Sequence, residues 1–158
     1  MELIARSFVI GAGATLTMDA WAALLRRFGI PSLDFALLGR WIGHLPTGRL
    51  LHESIARAAP VAGERAIGWA THYGIGVSFA GVLLALFGLE WAHAPTVGPA
   101  LLVGVVTVAA PLLVLQPALG AGIASRRTPR PLFNSAKSLA THTVFGLGLY
   151  VAAWVTAP

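Results

Sequence analysis

Apolar residues dominate four long stretches of this chain, residues 3–25, 67–89, 98–124 and 136–156, while charged residues are confined almost wholly to the segments between them. Each stretch is near or above the ~20 residues a helix needs to cross ~30 Å of hydrocarbon. The pattern predicts an all-α integral membrane bundle of four transmembrane helices forming one domain over residues 1–158. The connection at 90–97 is short, which predicts that the second and third helices are antiparallel neighbours. The connection at 26–66 is too long for a bare turn. Within it, residues 35–42 and 50–57 carry apolar side chains at roughly helical spacing, and Pro31, Pro46 and Pro60 mark boundaries. One or two short helices lying at the membrane interface are expected there. The connection from 125 to 134, with Arg126-Arg127-Thr128-Pro129-Arg130-Pro131, is expected to be extended.

Charge orients this pattern. Ten of the eleven Lys and Arg residues lie in two segments, 26–65 and 126–137, and the eleventh is Arg6. Positively charged loops resist translocation. Both basic segments are therefore expected on the cytoplasmic side of the membrane, with both termini on the opposite side. Arg6 precedes the apolar run 8–16 but is outweighed by Arg26 and Arg27 behind it, the reverse of a secretory signal. The first stretch is expected to be a retained span. Trp91, Tyr150 and Trp154 fall near one membrane face and Trp21, Trp41 and Trp69 near the other, as aromatic belts do.

Composition narrows the choice of partners. The 158 residues are 56% hydrophobic and 11% charged, against about 25% charged for soluble domains. The net charge of +5 flanks apolar stretches and has no aromatic stacking platform beside it. Anionic lipid headgroups, not nucleic acid, are the expected counter-charge. With no cysteine, disulfides, iron–sulfur clusters and thiolate zinc sites are excluded.

Polar residues inside the apolar stretches carry the candidate chemistry. If helices one and three run inward and two and four outward, Asp19, His72, Gln116 and His142 all fall in the cytoplasmic half of the bilayer. An ionisable group there costs at least ~2.5–3.5 kcal/mol on insertion scales, so it faces the bundle interior and finds a partner. Asn134, Ser138, His142, Gly146 and Tyr150 recur every four residues on one helix face, as do Gly11, Thr15 and Asp19. Pro111 and Pro117 interrupt the third stretch and free the carbonyls of Thr107 and Leu113. The candidate ligand-binding set is Asp19, His72, Gln116, Asn134, Lys137, His142 and Tyr150. A structural reading of the same residues pairs Asp19 with His72, His142 or Lys137 simply to hold the bundle. There is also an internal echo: Ala70-Thr71-His72 and Ala140-Thr141-His142, each followed by closely spaced glycines.

Met18-Asp19-Ala20-Trp21, Gly39-Arg40-Trp41-Ile42-Gly43-His44, His72-Tyr73-Gly74-Ile75-Gly76, Gln116-Pro117-Ala118-Leu119-Gly120-Ala121-Gly122 and Asn134…Lys137…His142…Gly146 together resemble a family of small bacterial inner-membrane proteins that carries a domain-of-unknown-function label. The resemblance spans nearly the whole chain in order. It implies a compact multi-pass protein of about this size and brings no established activity.

Three functions follow from these residues. The first is a membrane protein that binds or passes a small solute, ion or proton, with Asp19 and the histidines titrating and Gln116 and Asn134 orienting the cargo; four spans suggest a homodimer. The second is b-type haem held by His72 and His142 as axial ligands, with a bare metal site of both histidines and Asp19 as a variant. The third is an accessory subunit docking partner helices of a larger membrane complex. An enzyme is disfavoured, because no nucleophile elbow, phosphate-cradling loop, HExxH motif or intramembrane carboxylate pair is present.

Overall fold

The computed structural model describes residues 1–158, which are helical throughout their regular structure and contain no strand. Helix α1 spans Glu2–Arg27. Glu2 in its first turn and Arg26 and Arg27 in its last complement the helix dipole. It ends because Gly29 takes φ +73°, letting its N–H bond Arg26 O while the N–H of Ile30 bonds Leu25 O, a doubled closure that satisfies the last carbonyls. Helix α2, Phe35–His44, starts where the Asp34 carboxylate accepts from Ala36 N–H at 2.9 Å. Helix α3 runs Glu64–His93 with a kink at Gly88, φ 77°. Helix α4, Val97–Val106, a π-helical turn at Ala110–Leu115 and helix α5, Gln116–Leu119, make up the third apolar stretch. Pro111 has no amide hydrogen to give, and the ladder widens around it: Gln116 N–H bonds Pro111 O, five residues back. Helix α6 is Pro131–Val155.

Four helical stretches, Glu2–Arg27, Glu64–His93, Val97–Leu119 and Pro131–Val155, are long and apolar enough to cross a membrane, with mean hydropathies of 1.5, 1.8, 2.3 and 1.3. The expected four-helix, all-α class is what the chain adopts.

Three boundaries differ from expectation. The third stretch ends at Leu119, not Ala124, because Gly120 turns to φ +101° and a Cβ there would collide with Glu53 O. The fourth helix starts at Pro131, within the expected connector, proline being suited to a first helical turn whose amides are unbonded anyway. Residues 50–57 do not form a helix. Only Ile55–Arg57 turns, while His52 N–H bonds Ala118 O at 3.0 Å, so this backbone finds its partner on α5.

The chain divides into two compact units. The first comprises Met1–Ser32, Tyr73–Thr107 and Leu139–Pro158. Its core is Ile10, Leu83, Leu84, Phe145 and Leu149, all essentially inaccessible. Two helix pairs in it meet at glycines: Gly11 of α1 lies against Gly76 and Val77 of α3, and Gly104 of α4 against Gly146 of α6. Without a side chain at either position the backbones approach closely, the usual way apolar helices gain packing where lipid supplies no hydrophobic drive. Large side chains such as Phe8, Leu16 and Leu86 point outward and stay exposed.

The second unit comprises Leu33–His72 and Val108–Ser138. Here α2 crosses the start of α3, again through glycines: a Cβ on Gly39 would strike Glu64 O, and one on Gly68 would strike Phe35 O. Ile55 and Leu38 are buried, 3% exposed each.

Candidate functional site

In the first unit, α1 brings a carboxylate and α3 a phenol to one level. Tyr73 donates its hydroxyl to Asp19 Oδ2 at 2.9 Å, and both side chains are half-buried. Between α4 and α6 the close approach at Gly104 and Gly146 sets up a second polar contact. Thr107 lies three residues after Gly104 and His142 four before Gly146. Thr107 Oγ1 sits 3.0 Å from His142 Nδ1 and donates to Gly104 O at 2.7 Å. Thr15, 1% exposed, bonds its own helix through Gly11 O, as a hydroxyl on a packed helix face does. Tyr150 is partly buried and packs against the core.

The second unit holds a continuous polar chain around the 120–130 turn. Ser125 donates to Gln116 Oε1 at 3.0 Å, and Gln116 Nε2 donates to Ser138 Oγ at 3.2 Å. Thr128 donates to Ser125 O, and Asn134 Nδ2 donates to Thr128 Oγ1 at 2.9 Å. Gln116 and Asn134, far apart in sequence, are thereby joined through Ser125 and Thr128. Ser125 is 3% exposed, and both it and Ala124 have positive φ, 60° and 50°. Left-handed non-glycine residues are costly and persist only where surrounding contacts dictate them. The hydrogen bonds from Ser125 to Gln116 and from Ser135 to Ala124 O supply those contacts here. His72 in this unit stacks on Phe35, ring centroids 4.1 Å apart, with Trp69 edge-on at 6.0 Å. Lys137 is half-buried on α6.

A second polar group in this unit surrounds Arg40. Its guanidinium bonds Glu64 through two oxygens at 2.8 Å each and reaches the carbonyls of Ile55, Ala56 and Ala58. The hydrogen bond to Glu64 raises the Arg40 pKa above its ordinary value. Glu64 also accepts from Val61 N–H. His44, 8% exposed, donates from Nε2 to Ala59 O at 2.9 Å, a carbonyl being able only to accept. Its Nδ1 therefore accepts from His52 Nε2 at 3.2 Å. Trp41 ties down Leu50 O. These contacts strap residues 45–63 onto α2.

Of the seven expected residues, Asp19, His142 and Tyr150 belong to the first unit and His72, Gln116, Asn134 and Lys137 to the second. No group of three or more His, Asp or Glu side chains gathers as a metal-holding set. Tyr73, Thr107, Ser125, Thr128, Glu64 and His52 lie outside the expected set, as do Arg40 and His44, which the sequence marks only within the Gly39–His44 run. Tyr73 directly follows His72, and Thr107 drew notice for its carbonyl, freed by Pro111, while its hydroxyl forms the contact.

An all-helical chain with four apolar helices of spanning length, carrying hydrogen-bonded acid, imidazole and amide side chains within them, fits the class of multi-pass membrane proteins. The chain belongs to a family described as "Protein of unknown function (DUF2938)", whose model matches residues 8–156. No curated protein and no solved structure matches it.

Proposed function

We propose that this protein resides in a bacterial inner membrane and binds or passes a proton, or a small solute coupled to one, through the polar groups of its spans. The observation that carries the reading is the Tyr73–Asp19 bond at 2.9 Å within apolar helices. An ionisable side chain is expensive there, so it points to an ion or proton route by default. His142 adds an imidazole, the side chain whose unperturbed charge change falls nearest neutral pH. The second unit's Gln116–Ser125–Thr128–Asn134 chain supplies neutral donors and acceptors suited to orienting a polar solute. The basic segments 26–65 and 126–137 support an orientation with the second unit's loops toward the cytoplasm, against anionic headgroups.

The test is proton flux. Purified protein is reconstituted into liposomes holding a pH-sensitive dye, and a potassium diffusion potential drives proton entry. Wild type is expected to acidify the lumen faster than empty vesicles, and Asp19→Asn and His142→Ala to abolish the difference. Equal flux in wild type and both variants overturns the proposal.

A further inference from the structure

We infer that Thr107 fixes His142 as its Nδ1–H tautomer and so makes Nε2 the atom at which this imidazole gives and takes a proton. The inference rests on the proton-passing reading above and adds to it the atom that does the work and the residue that selects it. The argument begins with the 2.7 Å separation of Thr107 Oγ1 and Gly104 O. Two oxygens approach this closely with a hydrogen between them, and the carbonyl has none to offer. The single hydroxyl hydrogen of Thr107 is therefore committed to Gly104. Toward His142 Nδ1, 3.0 Å away, Oγ1 presents only lone pairs. That contact is a hydrogen bond only when Nδ1 carries the hydrogen. A neutral His142 then has its lone pair on Nε2, and whatever that nitrogen meets, it meets as an acceptor.

The surrounding packing holds the arrangement in place. A Cβ on Gly104 would lie 2.7 Å from Gly146 N and 2.8 Å from His142 O, so α4 and α6 are nearly in backbone contact just where Thr107 and His142 face each other. Phe145, 2% exposed, lies beside the imidazole with ring centroids 6.4 Å apart. The chemical step is a simple exchange. A proton forms an N–H bond at Nε2, the charge spreads over the ring, and the Nδ1–H···Oγ1 bond gains ionic character. Release of the same proton restores the starting tautomer, with no other bond changed. Thr107 is thus a positioning residue, acting through His142.

The experiment reads the tautomer directly and needs no flux. Full-length protein labelled with ¹⁵N-histidine is placed in lipid nanodiscs, the His142 signals are assigned by their loss in His142→Gln, and nitrogen NMR distinguishes the protonated from the bare ring nitrogen. The expected result for neutral His142 is hydrogen on Nδ1 in wild type and in Thr107→Ser, with a shift toward Nε2–H in Thr107→Val, which keeps the shape and loses the hydroxyl. Hydrogen on Nε2 in the neutral wild type overturns the inference, whether or not the valine variant folds; so does a folded Thr107→Val with an unchanged tautomer. The two proposals fail separately. An Nδ1–H signal alongside proton flux indifferent to both Asp19→Asn and His142→Ala removes the function and leaves the tautomer, whereas an Nε2–H signal with normal flux does the reverse.

Discussion

Gly104 and Gly146 meet backbone to backbone: a Cβ built on Gly146 would lie 2.9 Å from Ala100 O and 3.1 Å from Leu101 Cα. Neither helix can yield there without opening the α4–α6 seam. Overpacking a tight contact costs roughly 1–3 kcal/mol, so Gly104→Ala is expected to destabilise the fold by about that amount. Gly74, whose added Cβ would meet nothing within 4 Å, is the control. Gly74→Ala is expected to be neutral or to gain up to about 1 kcal/mol from helix propensity. Reversible unfolding in mixed micelles with rising SDS measures both. Equal losses at the two sites would show that the seam is not what glycine serves.

Arg40 joins α2, α3 and three carbonyls of the 55–58 turn, geometry that only a planar, five-donor side chain provides. Arg40→Lys keeps the charge but loses the paired contact with Glu64 and most of the carbonyl bonds. The strap at residues 45–63 is expected to loosen as a unit. Arg49 and Arg57 lie within it and are exposed, so limited trypsin digestion of the folded protein should cut there faster in the variant, while cleavage at Arg126 and Arg127 keeps its wild-type rate. Uniform acceleration at all these arginines would indicate global loosening and count against a local strap.

The Tyr73–Asp19 bond separates packing from charge. Tyr73→Phe removes one donor to the carboxylate and is expected to cost about 0.6 kcal/mol, at most ~1.7, as polar contacts between apolar helices do. Asp19→Asn retains an acceptor for the Tyr73 hydroxyl and is expected to melt close to wild type. Melting temperature in detergent reads the first effect and proton flux the second. A stable Asp19→Asn protein with no flux would tie the loss to titration, since the fold is intact.

The length of the apolar runs marks the four spanning helices in the sequence, because spanning length depends on run length alone. It placed their ends poorly wherever an end depends on tertiary contact. Leu119 ends a helix because Gly120 gives way to the Glu53 carbonyl, a residue more than sixty positions earlier. Residues 50–57 carry helical spacing but spend a backbone donor on Ala118 O instead. The same limit governs the site. Asp19, Gln116 and His142 stand out as polar residues in apolar surroundings, and each does have a polar partner. Those partners, Tyr73, Ser138 and Thr107, are ordinary residues in an apolar helix until packing aims them. Gly76 and Gly146, each four residues after the histidine of an Ala-Thr-His run, both pack against a glycine of another helix, so the internal echo has the same packing role in both halves.

The orientation of the chain is open to a direct trial. Ten of eleven basic residues lie in segments 26–65 and 126–137, and translocating either would carry several strongly hydrated charges across hydrocarbon. In the proposed orientation, an even number of crossings puts residues 1 and 158 on the same, non-cytoplasmic side. Alkaline phosphatase, active only outside the cytoplasm, is expected to be active when fused after Pro158 and inactive when fused after Arg57 or Arg130; green fluorescent protein should give the opposite pattern. Adding charge provides the harder check. Four arginines appended beyond Pro158 oppose the native bias, and they are expected to lower phosphatase activity at the C-terminus while leaving the Arg57 fusion silent, because the three earlier crossings remain governed by their own loops. Phosphatase activity at Arg57 in the unaltered protein would reverse the assignment and turn the polar groups near both basic segments toward the outside.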